Sequence, residues 1–200
     1  MEVNATLVRE LREKTGAGIL DCKKALQDTH GDLARAIETL RVKGLASAQK
    51  KAGRETKEGL IGSYIHAGGK LGVLVEVNCE TDFVARTDEF QELVKDLSLQ
   101  VAGASPSALY VRRGEVPAEA ADRERRIVEQ QAKESGKPPA VIEKIVQGRM
   151  EKFYGEICLM EQPFIKDPSL RIQDLISQKI AKIGENISVR RFVRFRLGEE

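Results

Sequence analysis

Tryptophan is absent from these 200 residues, and aromatic side chains of any kind make up only 4% of them. Base-stacking platforms of interleaved aromatics, as single-stranded nucleic-acid binders build them, are therefore not expected. Histidine occurs only at His30 and His66, and cysteine only at Cys22, Cys79 and Cys158. No spacing among these five fits a metal site. The cysteines are odd in number, far apart and set among apolar residues, which fits buried free thiols of a reducing cytosol rather than a disulfide framework. Neither sign of charge dominates: 33 Lys and Arg face 31 Asp and Glu, leaving +2. That balance lacks the one-sided basic excess of a nucleic-acid binder. No apolar run reaches the roughly 20 residues needed to span a bilayer. The N-terminus, Met1-Glu2-Val3-Asn4, lacks the basic and apolar regions of a secretory signal. The expectation is a cytoplasmic protein with no membrane contact.

Catalytic patterns are missing as well. No serine sits in a nucleophile elbow, and no cysteine has a histidine partner in sequence context. A phosphate-cradling Gly-x-x-x-x-Gly-Lys-Ser/Thr is absent, and Gly16 with Gly18 follows a helix rather than a strand. Paired acids such as Asp88 and Glu89 read as solvated helix faces. No enzyme, no cofactor, no metal and no direct nucleotide binding are expected of this chain.

What the chain does hold is apolar periodicity, with 41% hydrophobic and 32% charged residues. Asn4 caps a helix bearing Leu7, Val8 and Leu11, and Thr15-Gly16-Ala17-Gly18 ends it. A second helix runs from about Ile19 to Asp28. Gly31 breaks it, and Asp32 caps a third whose Leu33, Ala36, Ile37 and Leu40 share one face; Gly44 is expected to close it. Helices this short must pack together as a small bundle. The basic stretch from Gln49 to Lys57 reads as a helical linker. Its Lys50, Lys51, Arg54 and Lys57 fit a solvated face better than a phosphate-binding one.

Next, Leu60–His66 and Leu71–Val77 form a hairpin around Ala67-Gly68-Gly69-Lys70. A long amphipathic helix carries Phe90, Leu93, Val94, Leu97 and Val101, and the region Ser105 to Pro117 is irregular. Two helical segments are split by Ser135-Gly136-Lys137-Pro138-Pro139, and the second keeps its period to Pro163. A helix over Leu170–Ile183 and a closing strand over Ile187–Leu197 complete the chain. The predicted class is α+β, with a three-helix module plus linker at 1–54 and a core at 55–200. That core holds a three-stranded antiparallel sheet packed by helices.

Two places read as partner surfaces. A glycine-rich turn sets Ile19 and Leu20 side by side, more apolar surface than a bundle this small can bury. At the junction after the second strand, Thr81-Asp82-Phe83 puts a large aromatic at the start of a helix. Phe83 there is either a staple folded under the sheet, with Asp82 as cap, or a wedge for another protein.

The segment Leu11-Arg12-Glu13-Lys14-Thr15-Gly16-Ala17-Gly18-Ile19-Leu20-Asp21-Cys22-Lys23-Lys24-Ala25-Leu26 resembles the N-terminal signature of bacterial elongation factor Ts. Glu76-Val77-Asn78-Cys79-Glu80-Thr81-Asp82-Phe83-Val84-Ala85-Arg86 resembles that family's second signature. Glu161-Gln162-Pro163-Phe164 and Ile183-Gly184-Glu185-Asn186-Ile187 are similar to it too. The resemblance implies a guanine-nucleotide exchange factor for elongation factor Tu, with a ubiquitin-associated-like N-terminal bundle. It assigns partner docking to Ile19, Leu20 and Lys23, and displacement of the partner's magnesium ion to Thr81, Asp82, Phe83 and Val84. Longer members carry two core subdomains and a coiled-coil insertion, whereas this chain has room for one core. The short form is expected to act as a homodimer in a two-plus-two complex. A non-catalytic adaptor and a nucleic-acid binder working through the basic linker are the rival readings.

Overall fold

The computed structural model describes residues 4–134 and 136–199. Met1, Glu2 and Val3 of the N-terminal reading, and Ser135 of the break between the two late helices, lie outside the described residues. Two compact units emerge. One comprises the chain up to Gly62, Glu76–Lys95 and Asp174–Val189; the other comprises Ser63–Val75, Asp96–Gln173 and the chain from Arg190.

In the first unit the helix caps fall where the sequence puts them. The Asn4 side chain accepts the Thr6 N–H and opens α1, Ala5–Thr15. α2 spans Ile19–Asp28. Asp32 accepts the Arg35 N–H and opens α3, Leu33–Lys51. Leu11, Cys22, Ala25, Leu26, Ala36 and Leu40 form the shared core of the three helices.

Gly44 does not close α3. A glycine inside a helix costs only about 1 kcal/mol relative to alanine, and packing here outweighs it. A Cβ built on Gly44 would stand 3.6 Å from the Cβ of Ala181 in α8, Ile172–Ile183. The Arg41 guanidinium also donates to Asp174 at the head of α8, at 2.8 Å. The basic stretch expected as one helical linker is thereby divided: Lys50 and Lys51 end α3, while Arg54 and Lys57 lie in irregular chain.

The hairpin forms β1, Glu58–Ile65, and β2, Leu71–Cys79. β5, Ile187–Arg196, joins the far side of β2, giving the order β1-β2-β5. The His66 N–H bonds the Leu71 carbonyl and the Leu197 N–H bonds that of Lys70, so both neighbours run antiparallel to β2. Val73, Val75, Val77 and Cys79 alternate into the core. The mixed helix-and-sheet class and the three-stranded antiparallel sheet agree with the sequence reading. Helix α4, Asp82–Ala85, and helix α5, Asp88–Gly103, follow β2.

In the second unit, α6, Ala118–Glu134, and α7, Pro139–Ile157, pack as a helical hairpin on Val128, Ala132 and Val146. The helical period read as far as Pro163 is wrong at its end. α7 stops at Ile157, and a 3-10 turn over Leu159–Glu161 leads into a small antiparallel pair, β3, Pro163–Phe164, and β4, Asp167–Arg171. Leu170 and Arg171 belong to β4, so α8 begins at Ile172 rather than Leu170. The cause is the buried Gln100. Its amide donates to Gln162 Oε1 and to the Pro163 carbonyl and accepts the Ile165 N–H, meeting backbone groups that a helix would have paired within itself. The neighbouring Glu161 and Glu151 both grip Arg113, whose guanidinium lies over the Tyr154 ring.

All three cysteines are free and buried. Burial, helped by the charge of Glu185, pushes the Cys79 thiol up to about 11; burial and Glu161 push Cys158 up to about 11. The native state thus favours the neutral thiols. Their stabilising contribution is complete below the unfolded thiol value near 9 and is lost as pH rises through about 11. Denaturant melts between pH 8.5 and 11 should show this loss, and a Cys79→Ala/Cys158→Ala variant should lose stability less steeply over the same range. Equal slopes for the two proteins would contradict it.

Candidate functional site

β2 ends where the second signature turns outward. The Thr81 hydroxyl accepts the Val84 N–H at 3.3 Å and caps α4, a helix of only four residues. Thr81, not Asp82, is therefore the cap. Val84 is 6% exposed and Ala85 is buried with it, whereas Phe83 is 76% exposed. The staple reading fails: the ring stands in water, with its two following neighbours rooted in the core. Burying such a side chain is worth about 1.5–3 kcal/mol, stabilisation the isolated chain does not collect and a partner would. Asp82 is also on the surface, paired with the Arg86 guanidinium at 2.7 Å. An exposed i,i+4 pair contributes only about 0.3–0.5 kcal/mol, so the carboxylate can be drawn away at little cost.

The turn is tied down by residues that the sequence reading did not single out. The Glu185 carboxylate accepts the Thr81 N–H at 3.0 Å and its hydroxyl at 2.7 Å. In return, the Glu80 carboxylate accepts the Asn186 N–H at 2.6 Å and the Arg54 guanidinium at 3.4 Å. The Asn186 amide donates to the Arg54 carbonyl at 2.8 Å. On α8, Lys179 and Lys182 both bind the Glu89 carboxylate of α5. Burial pushes that carboxyl up, but the two ammonium groups outweigh it and hold it below its usual range. The likeness at Ile183–Ile187 marked this segment without giving it a task; only the folded chain brings Glu185 to Thr81.

Ile19 and Leu20 are the first two residues of α2, after Gly18, whose missing side chain leaves the helix start open. They are 55% and 81% exposed, and Lys23 is exposed one turn further on. The loop before them is seated on α8, since a Cβ built on Gly16 would lie 3.3 Å from Lys182 Cδ. The structure thus sets Thr81, Asp82, Phe83 and Val84 on one turn, with Val84 as buried support. Ile19, Leu20 and Lys23 occupy another turn of the same unit; α8 adjoins the loop before this one, and Glu185, just past the end of α8, holds the other. Among the described residues, no three His, Cys, Asp or Glu side chains are placed to hold a metal ion, and no helix is long and apolar enough to cross a membrane.

Residues 11–199 match the sequence profile described as Elongation factor TS. The chain belongs to the elongation factor Ts family. It is 61% identical over 199 residues to elongation factor Ts of Geobacter sulfurreducens, covering 100% of this chain and 91% of that one. To elongation factor Ts of Carboxydothermus hydrogenoformans it is 58% identical over 197 residues, 98% of this chain and 90% of the relative. It is thus a family member of translation elongation, nearly as long as these relatives. Both turns described above lie within the matched residues.

Proposed function

We propose that this chain is the guanine-nucleotide exchange factor of elongation factor Tu. It binds Tu carrying GDP, disturbs the magnesium and phosphate site, and releases GDP so that GTP can enter. The observation that carries this reading is Phe83, an exposed ring on a turn rooted by Val84 and clasped through Thr81. Magnesium and backbone donors offset the charge of the GDP phosphates, so shifting the elements that hold the metal raises the free energy of bound nucleotide. Phe83 acts as the wedge between elements of the partner, and Asp82 competes for the polar groups around the metal. Ile19 and Leu20, with Lys23 beside them, dock the N-terminal module, residues 1–54. No bond is made or broken, so the chain is no enzyme, and it binds neither nucleotide nor nucleic acid itself. Its place is the cytoplasm.

Release of fluorescent GDP from purified elongation factor Tu tests this reading. A steep rise in release rate with added chain is expected. An unchanged rate would leave an adaptor, and salt-sensitive RNA binding would favour the nucleic-acid reading.

We also propose that the chain works as a homodimer in a two-plus-two complex with Tu. The outer face of the sheet in the second unit supports it. Ile65 leans across Gly72, where a Cβ would come within 3.0 Å of its tip, beside the exposed Leu74. The Leu197–Lys70 bond sets Phe195 next to Gly72 and Val193 next to Leu74 in an antiparallel register. Phe195 is 68% exposed. A contiguous apolar face of this kind suits a self-complementary interface. Light scattering should give twice the 22.2 kDa chain mass, and Phe195→Asp should return it to the single-chain value. A wild-type mass of one chain at micromolar concentration would overturn the dimer.

A further inference from the structure

We infer that Glu185 is a positioning residue for exchange: its grip on Thr81 holds the α4 turn in the orientation that presents Phe83 to the partner. The inference rests on the exchange reading above and assigns a task to the Ile183–Ile187 segment that the reading leaves unused.

A four-residue helix has too few internal hydrogen bonds to hold its own direction. The direction of Phe83 must therefore come from outside α4. Val84 and Ala85 fix the depth of the turn but not its rotation about the strand end. Glu185 supplies the missing constraint with two bonds to one residue, Oε2 to the Thr81 N–H and Oε1 to the Thr81 hydroxyl. With its proton committed to Glu185, the hydroxyl can only accept on its other side, where the Val84 N–H stands. The cap geometry, and the ring that follows it, is thereby set from residue 185.

Glu185 is itself held. Gly184, at φ 91°, turns the chain sharply out of α8, a conformation other residues rarely adopt. Asn186, just beyond, is locked by Glu80 and by the Arg54 carbonyl. Glu80 and Glu185 thus clasp each other's segments, each carboxylate taking a backbone N–H from across the gap. Lys179 and Lys182, bound to Glu89, fix α8 behind them. The four-residue helix that carries the ring is thus held by a residue 104 positions away in the chain.

Glu185→Gln keeps the size of the side chain but turns one acceptor into a donor facing the Thr81 donors. GDP release from elongation factor Tu at saturating variant should fall about tenfold, the scale of one charge-assisted hydrogen bond. The half-saturating concentration should stay within about twofold, because Ile19, Leu20 and Lys23 are untouched. Combined with Phe83→Ala, Glu185→Gln should add less than about twofold, since it acts through that ring. A readout independent of exchange is fluorine NMR of chain carrying fluorophenylalanine, with the Phe83 line assigned by its loss in Phe83→Ala. That line should shift or broaden in Glu185→Gln while the other five phenylalanines keep theirs. Undiminished release, losses that multiply with Phe83→Ala, or an unmoved Phe83 line would each overturn the inference. If wild-type chain released no GDP at all, the exchange reading itself would fall, whereas an unmoved Phe83 line beside strong wild-type release would remove the positioning role alone.

Discussion

Phe83→Ala is expected to slow chain-stimulated release of GDP from elongation factor Tu by roughly thirty- to a thousandfold, while the melting temperature stays within about 2 °C. The two halves of this result have different physical sources. Truncating a central aromatic anchor costs about 2–4 kcal/mol at an interface. Phe83 is the only large apolar group on α4 that points into water, since Val84 and Ala85 face the core. Removing an exposed ring, by contrast, opens no cavity, and surface substitutions of this kind change stability by about 0.5 kcal/mol or less. A melting temperature that dropped by ten degrees with little loss of release would make Phe83 a packing residue. Val84→Ala should behave the opposite way, because its side chain is among those that root the turn.

The second large effect belongs to the other turn. Ile19→Ala with Leu20→Ala should weaken the complex with elongation factor Tu by roughly a hundredfold, from about 1–2 kcal/mol lost at each exposed side chain on burial against a partner. Release measured at saturating chain should remain within a few-fold of wild type, since the wedge is intact. Phe83→Ala lowers the rate at saturation, and the Ile19/Leu20 variant raises the concentration needed to reach it. Isothermal titration of the double variant into Tu gives the affinity directly, and an unchanged value would remove the docking role. Fold stability is not at issue, because Leu11, Cys22 and Leu26, not Ile19 and Leu20, fill the bundle core.

Much of this organisation was legible in the chain before folding. The caps at Asn4 and Asp32, the helical period through Leu40 and the glycine-centred hairpin are local signals that tertiary packing left in place. Gly44 was misread because a glycine costs a helix little when a neighbouring helix presses against it, and Ala181 is far away in sequence. The β3–β4 pair was invisible for a related reason. The Gln100 amide pairs with the Pro163 carbonyl and the Ile165 N–H, and no period in Pro163–Arg171 announces that. At the site, spacing favours a Phe83 folded under the sheet over an exposed one, and a four-residue helix has no second turn on which its true face could show itself. The exposed ring, beside the buried Val84 and Ala85, reverses that preference. Glu185 was readable as part of a familiar segment but not as a clasp, since its partner Thr81 lies across a hundred residues of chain.

The proposed exchange depends on coupling: the chain must weaken GDP binding because it prefers Tu with its nucleotide site opened. Linkage then requires GDP to weaken the chain's binding by the same factor. Titrating the chain into nucleotide-free elongation factor Tu, and into Tu saturated with GDP and magnesium, measures that factor from one side. Measuring GDP affinity with and without the chain gives it from the other. Two large and equal factors are predicted; equal affinity of the chain for both forms of Tu would contradict the account.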